Sequence, residues 1–362
     1  MAREFLEDIL RQVTRRDIDK VLNSDQLMAS AYGKFAEISA STENPNRPGV
    51  FGSKKPNLLS TSIKFEKGRA KEDPVISSIV QKGMYLAPAG KFGTADCCKD
   101  KTSGCSAACL HDAGFQDVAT QIARTKMLTD HPVEGIALLA DEIDNHVASV
   151  RRMSRRTSGL FVPAVRLDAT SELHLDDMEI GDRLYGGPKG EYQEVHTEGP
   201  LKGLPMLMGN EYGKRFAKGL LPGAEPTMRQ PNVTRVLSWS EQMTAGRADQ
   251  ARSRGLDITG PTVDLGTSAH PKPLPEGAQA VVPFAGGETR TIPAVDYDEH
   301  DATGARTQAG NFGVLRAKAP GFRSRGDVEA AKAARFLDRV RVIGDTPVAA
   351  PKRGSRRGAA GF

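Results

Sequence analysis

All four cysteines of this 362-residue chain lie within thirteen consecutive positions, from Cys97 to Cys109. Three of them, Cys98, Cys105 and Cys109, follow the pattern C-x6-C-x3-C, and Gly104 allows the backbone to turn just before Cys105. Thiols that served only as core residues would be scattered along the chain, so the clustering indicates a site. If the block forms a site, the fold must bring the side chains of Cys98, Cys105 and Cys109 close enough for their three thiolates to converge.

Convergent thiolates select zinc, copper(I) or an iron–sulfur cluster, because soft sulfur binds these better than magnesium or calcium. Zinc takes four ligands in a structural site, or three and a water in a catalytic one. A cluster held by three cysteines leaves one iron open to an outside ligand. We therefore predict a metal site on Cys98, Cys105 and Cys109, with an iron–sulfur cluster or zinc as cofactor; a disulfide or redox pair and unligated thiols are the alternatives. Cys97, adjacent to Cys98, is left out of the ligand set, and His111 is a further candidate ligand.

The composition indicates a compact core interrupted by long loops, since hydrophobic content is only 38% while Gly and Pro number 37 and 22. No run of eighteen apolar residues is present, and the first residues lack the apolar stretch of a signal peptide. We expect a cytoplasmic protein, in which thiols stay reduced, and no membrane partner. The net charge of +5 is too small by itself to argue for nucleic acid.

Hydrophobic periodicity divides the chain into an N-terminal helix and linker (1–57), a core (58–345) and a disordered basic tail (346–362). Residues 3–22 predict one amphipathic helix. Residues 115–156 predict two helices divided near Asp130-His131-Pro132, with Arg124 facing outward and His146 partly exposed. The predicted strands lie at 58–68, 75–89, 160–172, 233–241, 278–284, 291–295, 312–316 and 340–343, and the last of them follows a helix predicted to begin at residue 328. Residues 175–232 have no sustained periodicity and are interpreted as a loop-rich insertion.

A second candidate site follows the apolar run 160–165. Chemistry gathers at the carboxyl ends of strands in sheets that alternate with helices, because the loops converge there. We assign catalytic roles to Arg166, Asp168, Glu172 and Arg316, and substrate binding to Thr170, Ser171, Ser240, Glu241 and Asp298. The arginines would hold an anionic group and a carboxylate would handle protons. The alternative is an Arg–Asp ion pair with a Ser/Thr helix cap.

Other sequence motifs, present or absent, narrow the range of possible functions. The chain contains no phosphate loop, no G-x-G-x-x-G and no H-E-x-x-H, which disfavours nucleotide hydrolysis and zinc-protease chemistry. Gly286-Gly287-Glu288 predicts a hairpin turn between two strands. Basic clusters occur at Arg151-Arg152, at Arg155-Arg156 and in the tail, where they form either a solvated surface or a phosphate-binding one.

The order of these blocks resembles a family of mostly uncharacterised bacteriophage and prophage proteins over roughly residues 58–320. The resemblance is carried by these segments: 83–89, the C-x6-C-x3-C-L block with Gly114, 122–126, 164–172 with its R-L-x-x-T-S pattern, 236–241, 292–301 and 313–319. It implies expression in the cytoplasm of an infected bacterial host.

Such proteins are distantly similar to the partial barrels of the radical S-adenosylmethionine class, in which three thiolates follow the first strand. That class uses C-x3-C-x2-C, and this chain has C-x6-C-x3-C. The resemblance implies an α/β fold, an irregular or partial β/α barrel, and S-adenosylmethionine as a candidate cofactor.

Three functions are consistent with these observations. The first is a metal- or iron–sulfur-binding enzyme, radical-SAM-like, acting on a small-molecule or nucleic-acid substrate. The second is a zinc-stabilised nucleic-acid-binding protein of phage replication or host takeover, which would use the basic clusters and tail. The third is a structural or accessory phage protein whose thiols only hold a loop.

Overall fold

The computed structural model describes residues 5–10, 12–61, 79–88, 90–98, 118–157, 161–166, 208–211, 233–238, 243–253, 257–263, 274–296, 312–316 and 341–343. Within these ranges, no helix is both long enough and apolar enough to cross a membrane. Residues 328–340, where a helix was predicted to begin, and the basic tail lie outside them.

The N-terminal segment forms three helices: α1 (Leu6–Leu10), α2 (Arg15–Leu22) and α3 (Asp25–Ser41). The prediction of one helix over 3–22 is wrong, because the chain breaks at Thr14. This residue is extended and its hydroxyl accepts the N–H of Asp17 at 3.3 Å, which starts a new helix. Ser24 caps α3 in the same way, through the N–H of Leu27 at 3.3 Å.

Two long helices follow, α4 (Val118–Asp130) and α5 (Pro132–Thr157). Their division at His131 confirms the prediction. Pro132 opens α5, where its missing N–H leaves no hydrogen bond unmade. A short helix, α6 (Ala245–Ser253), was not predicted.

The described strands belong to one ten-stranded sheet of order β1-β2-β3-β4-β5-β6-β9-β8-β7-β10. Their bounds are β1 Leu59–Ser60, β2 Ile79–Met84, β3 Val162–Arg166, β4 Met208–Glu211, β5 Val233–Ser238, β6 Asp257–Val263, β7 Gln279–Pro283, β8 Thr289–Asp296, β9 Phe312–Arg316 and β10 Arg341–Ile343. β2, β3, β4, β5, β6, β9 and β8 run parallel to one another, while β1, β7 and β10 pair antiparallel.

Because parallel strands end at the same edge, this run of strands defines a carboxyl edge of the sheet. It is marked by the last residues of the seven strands: Met84, Arg166, Glu211, Ser238, Val263, Arg316 and Asp296. β4 lies within the predicted insertion, and β6 was not predicted.

The main core joins the helices to the first strands of the sheet. Met84 of β2 and Val165 of β3 belong to one buried cluster with apolar residues of α1 to α5. Side chains alternate along a strand, so Lys82 and Met84 face the helices, whereas Gln81, Gly83 and Tyr85 lie on the opposite face.

The hairpin predicted at Gly286-Gly287 is confirmed, since it joins antiparallel β7 and β8. Both glycines have positive φ, 90° and 84°, a conformation that other residues rarely adopt. The turn is closed by the N–H of Phe284, which donates to the carbonyl oxygen of Glu288 at 2.8 Å.

Candidate functional site

The carboxyl edge is where the predicted catalytic arginines lie. Arg166 is the last residue of β3 and Arg316 the last of β9. Arg166 pairs in register with Gly83 of β2 and Gly209 of β4, and Arg316 pairs with Val263 of β6. The topology therefore brings both arginine positions to one edge, although they are far apart in sequence.

The remaining predicted residues of this patch lie outside the described residues. In the sequence, each follows a strand that ends at the carboxyl edge: Asp168, Thr170, Ser171 and Glu172 follow β3, Ser240 and Glu241 follow β5, and Asp298 follows β8. Asp296, the last residue of β8, is buried. Asp296 was not among the predicted site residues.

The segment 85–98, here called the cysteine loop, leaves the carboxyl end of β2. Among its described residues, Gly90, Phe92 and Gly93 have positive φ, at 63°, 59° and 73°. This conformation strains a residue as bulky as phenylalanine. Phe92 packs against the buried residues Ala87, Val118 and Ile122, and this contact supports the strained backbone.

The two described cysteines occupy different environments. Cys97 is 2% exposed and belongs to the core cluster that contains Leu6 and Leu10. Cys98 is partly exposed, and its N–H donates to Oδ1 of Asp96 at 3.0 Å. Cys105, Cys109 and His111 lie outside the described residues, within which no group of three His, Cys, Asp or Glu side chains could hold a metal ion.

Helix α4 holds the beginning of the cysteine loop. The hydroxyl of Thr125 accepts the N–H of Ala87 at 2.9 Å and donates to the carbonyl oxygen of Gln121 at 3.0 Å. Arg124 donates through Nε to the carbonyl oxygen of Asn57 at 2.7 Å and through Nη1 to that of Tyr85 at 3.4 Å. Arg124 is only 5% exposed, so the expectation that it faces outward is wrong.

Helix α5 binds the main chain at β1 through Glu142 and at β2 through His146. The carboxylate of Glu142 accepts the N–H groups of Leu58 and Leu59, each at 2.8 Å. Burial raises the pKa of Glu142, while these two hydrogen bonds and the charges of Arg124 and Lys82 oppose the rise.

His146, four residues further along α5, has Nε2 at 2.9 Å from the carbonyl oxygen of Val80. It is buried, which corrects the expectation of partial exposure. Glu142 was missed by sequence reasoning. The available signal was its spacing of four from His146 on a helix face that is otherwise apolar.

The face of the sheet opposite these helices carries a second polar feature. Gln81 of β2 is 7% exposed, and its buried Oε1 has no hydrogen-bond partner among the residues that the structure describes. Gly83 lies next on the same face, where an added Cβ would be 3.1 Å from the ring of Tyr85. The aromatic ring therefore covers the position that pairs with Arg166.

Among known protein families, residues 57–180 match a family described as GP88: Gene product 88. The matched segment contains the cysteine block, α4, α5, β2 and β3. It therefore includes the buried polar side chains that hold the cysteine loop. No curated protein matches the chain, and no solved structure matches it. Over residues 57–180, about a third of its length, this chain is similar to the phage-type protein family described as Gene product 88.

Proposed function

We propose that the chain is a phage-encoded enzyme with an iron–sulfur cluster or zinc ion held by Cys98, Cys105 and Cys109 beside a substrate site at the carboxyl edge. The observation that carries this proposal is the position of Cys98. It follows β2, the first strand of a run of seven parallel strands. We further propose that these strands form an irregular or partial β/α barrel, whose loops would converge at this edge.

The donor set fits a thiolate-binding metal. Cys98 is partly exposed and packs at the border of the core in which its neighbour Cys97 is buried, so we assign Cys98 and not Cys97 to the metal. Cys105 and Cys109 would complete the set of three ligands. A cluster bound in this way supplies an iron with an open coordination position, and zinc supplies a Lewis acid. S-adenosylmethionine is the candidate ligand of that open position.

The substrate would lie beside this centre. Arg166 and Arg316 end two strands of the same edge, and we assign them to an anionic group of a small-molecule substrate. Asp168 and Glu172 would exchange protons with the substrate. Thr170, Ser171, Ser240, Glu241 and Asp298 would orient it through hydrogen bonds.

The alternative of a zinc-stabilised nucleic-acid-binding protein would use the arginines near the end of α5. Arg152, Arg155 and Arg156 are exposed there. This last turn contacts the start of β3, because Ser154 Oγ accepts the N–H of Phe161 at 2.9 Å. The arginines therefore lie at the amino edge of the sheet, away from Cys98. Cations at a helix C-terminus are also favoured by the helix dipole, without any partner.

Elemental analysis and an optical spectrum of protein purified without oxygen test the proposal. Iron and sulfide with broad visible absorption would support the cluster, and stoichiometric zinc in colourless protein would support the zinc form. Neither metal in full-length protein would overturn the proposal. Cys98→Ser, Cys105→Ser and Cys109→Ser should each lose the metal. Cys97→Ser is the matched control, which should lose stability but retain metal.

Binding to DNA or RNA at low salt separates the alternatives. DNA or RNA binding that weakens steeply with salt and disappears when residues 351–362 are removed would favour the hypothesis of a nucleic-acid-binding protein. Altered stability alone in the Cys98→Ser and Cys109→Ser variants would favour the structural one.

A further inference from the structure

We propose that Asp96, held in place by α1, is a positioning residue for Cys98. This inference rests on the proposed function, because it concerns how one of the suggested metal ligands is oriented. It assigns a role to a buried carboxylate that would act through Cys98 and to a helix far from Cys98 in sequence.

Asp96 joins the cysteine loop to the N-terminal helix. Its carbonyl oxygen accepts the N–H of Leu6 at 3.0 Å, and Phe5 forms a parallel bridge with it. Leu6 is fully buried, and the neighbouring Cys97 belongs to the same core cluster. The start of α1 is thereby tied to the loop one residue before the pair of cysteines.

The side chain of Asp96 also acts on Cys98. Asp96 is 2% exposed, and its Oδ1 accepts the N–H of Cys98 at 3.0 Å. A carboxylate that bonds the N–H two residues later restricts the intervening backbone, and a charged acceptor strengthens the bond. This bond fixes the backbone of Cys98 while Cys97 turns into the core.

The opposite end of the loop is held independently. Thr125 and Arg124 of α4 bind the main chain at Ala87 and Tyr85. The positive-φ residues Gly90, Phe92 and Gly93 lie between the two anchored ends. Because both ends are fixed, loss of the Asp96 bond should free mainly the segment that leads into Cys98.

Full-length variants test this role. Asp96→Ala removes the acceptor, whereas Asp96→Asn keeps an oxygen that can accept the same bond. Asn44→Ala is the matched control: Asn44 is also buried, at 3% exposure, and its Oδ1 accepts the N–H of Asn46, two residues later, at 3.0 Å. It removes the same type of turn away from the cysteines.

Two readouts are compared: zinc affinity by chelator competition, and the rate of Cys98 alkylation by iodoacetamide, located by mass spectrometry. We expect Asp96→Ala to weaken zinc binding roughly 10- to 100-fold, as does loss of other groups that orient metal ligands. It should also accelerate Cys98 labelling severalfold. Asp96→Asn should recover most of both values, because its amide oxygen can accept the same bond without the charge, and Asn44→Ala should change neither.

The outcomes distinguish the two proposals. Wild-type zinc affinity in folded Asp96→Ala would overturn the positioning role. If the wild-type protein binds neither zinc nor iron, the proposed function fails, and the labelling rate alone decides the role of Asp96. Equal Cys98 labelling in Asp96→Ala and Asn44→Ala would overturn the inference in either case.

Discussion

Nε of Arg124 lies 2.7 Å from the main-chain carbonyl oxygen of Asn57, 67 residues earlier in the chain. The same guanidinium reaches the carbonyl oxygen of Tyr85, at the start of the cysteine loop. One buried side chain thus joins the segment before β1 to the segment after β2. The loop that carries Cys98 is held by polar contacts to the main chain as well as by apolar packing.

Arg124→Lys should destabilise the protein by about 1–3 kcal/mol, because an ammonium group cannot reproduce the two directions of the guanidinium donors and hydrogen bonds from charged groups contribute in this range. The measurement is urea denaturation at neutral pH. Arg152→Lys, at an exposed position of α5, is the control and should change the free energy of unfolding by less than about 0.5 kcal/mol. Equal effects at the two sites would contradict the role of Arg124.

Because of Glu142, the free energy of unfolding should fall as pH rises above the ordinary pKa of a glutamate side chain. Its pKa is raised in the folded protein, chiefly by burial, so in this interval the folded state binds more protons than the unfolded state. The contribution is fully present below the unfolded pKa and is lost as pH rises through the folded pKa. Glu142→Gln removes this dependence.

The check for Glu142 is the difference in unfolding free energy between wild type and Glu142→Gln across mildly acidic to neutral pH. This difference should decline with rising pH. Glu142→Gln should also be less stable in the acidic part of the range, since an amide offers one oxygen to the N–H groups of Leu58 and Leu59. A difference that does not vary with pH would contradict the raised pKa.

Two helical glycines should respond oppositely to alanine. Gly33 in α3 has nothing within 4 Å of an added Cβ, so Gly33→Ala should stabilise by about 0.5–1 kcal/mol through helix propensity. At Gly135 in α5 an added Cβ would lie 3.0 Å from the Met127 carbonyl oxygen and from a Leu128 methyl. Gly135→Ala should therefore destabilise by about 1 kcal/mol or more, by thermal denaturation. Stabilisation at both positions would disprove the close packing of α4 on α5.

Removal of a buried polar group should lower the free energy of unfolding more when the group has a hydrogen-bond partner than when it has none. Thr125→Val leaves the N–H of Ala87 without its acceptor and should cost about 1–3 kcal/mol. Gln81→Met replaces a side chain whose buried Oε1 has no partner in the described part of the chain, so the change should be nearly neutral or stabilising. Chemical denaturation of both variants provides the comparison. A larger loss for Gln81→Met would show that Oε1 is bonded in solution.

Local sequence signals predicted much of the framework. The periodicity of 115–156 and Pro132 predicted α4 and α5, and the Gly286-Gly287 pair predicted the β7–β8 hairpin. Thr14 was read as part of one helix because a capping hydroxyl interrupts the pattern without a glycine or proline. β6 was missed because Gly260 and Pro261 disrupt its apolar pattern.

Some residues of the candidate site were predicted from the sequence, but their arrangement in space was not. Strand ends followed by polar residues indicated Arg166 and Arg316, but the sequence held no information that β9 pairs with β6 or that β8 then pairs with β9. Asp96 and Glu142 were not singled out. Their partners are Leu6, Cys98, Leu58 and Leu59, most of them distant in the chain.

The amino-acid sequence by itself determined the two long helices α4 and α5, most of the strands and the concentration of thiols after β2, because periodicity, caps and turns act over a few residues. The tertiary structure decided which polar side chains are buried, which main-chain groups they bind and which strand ends share an edge. These features depend on contacts between segments tens of residues apart. Burial makes such contacts strong, since an unpaired polar group loses its bonds to water.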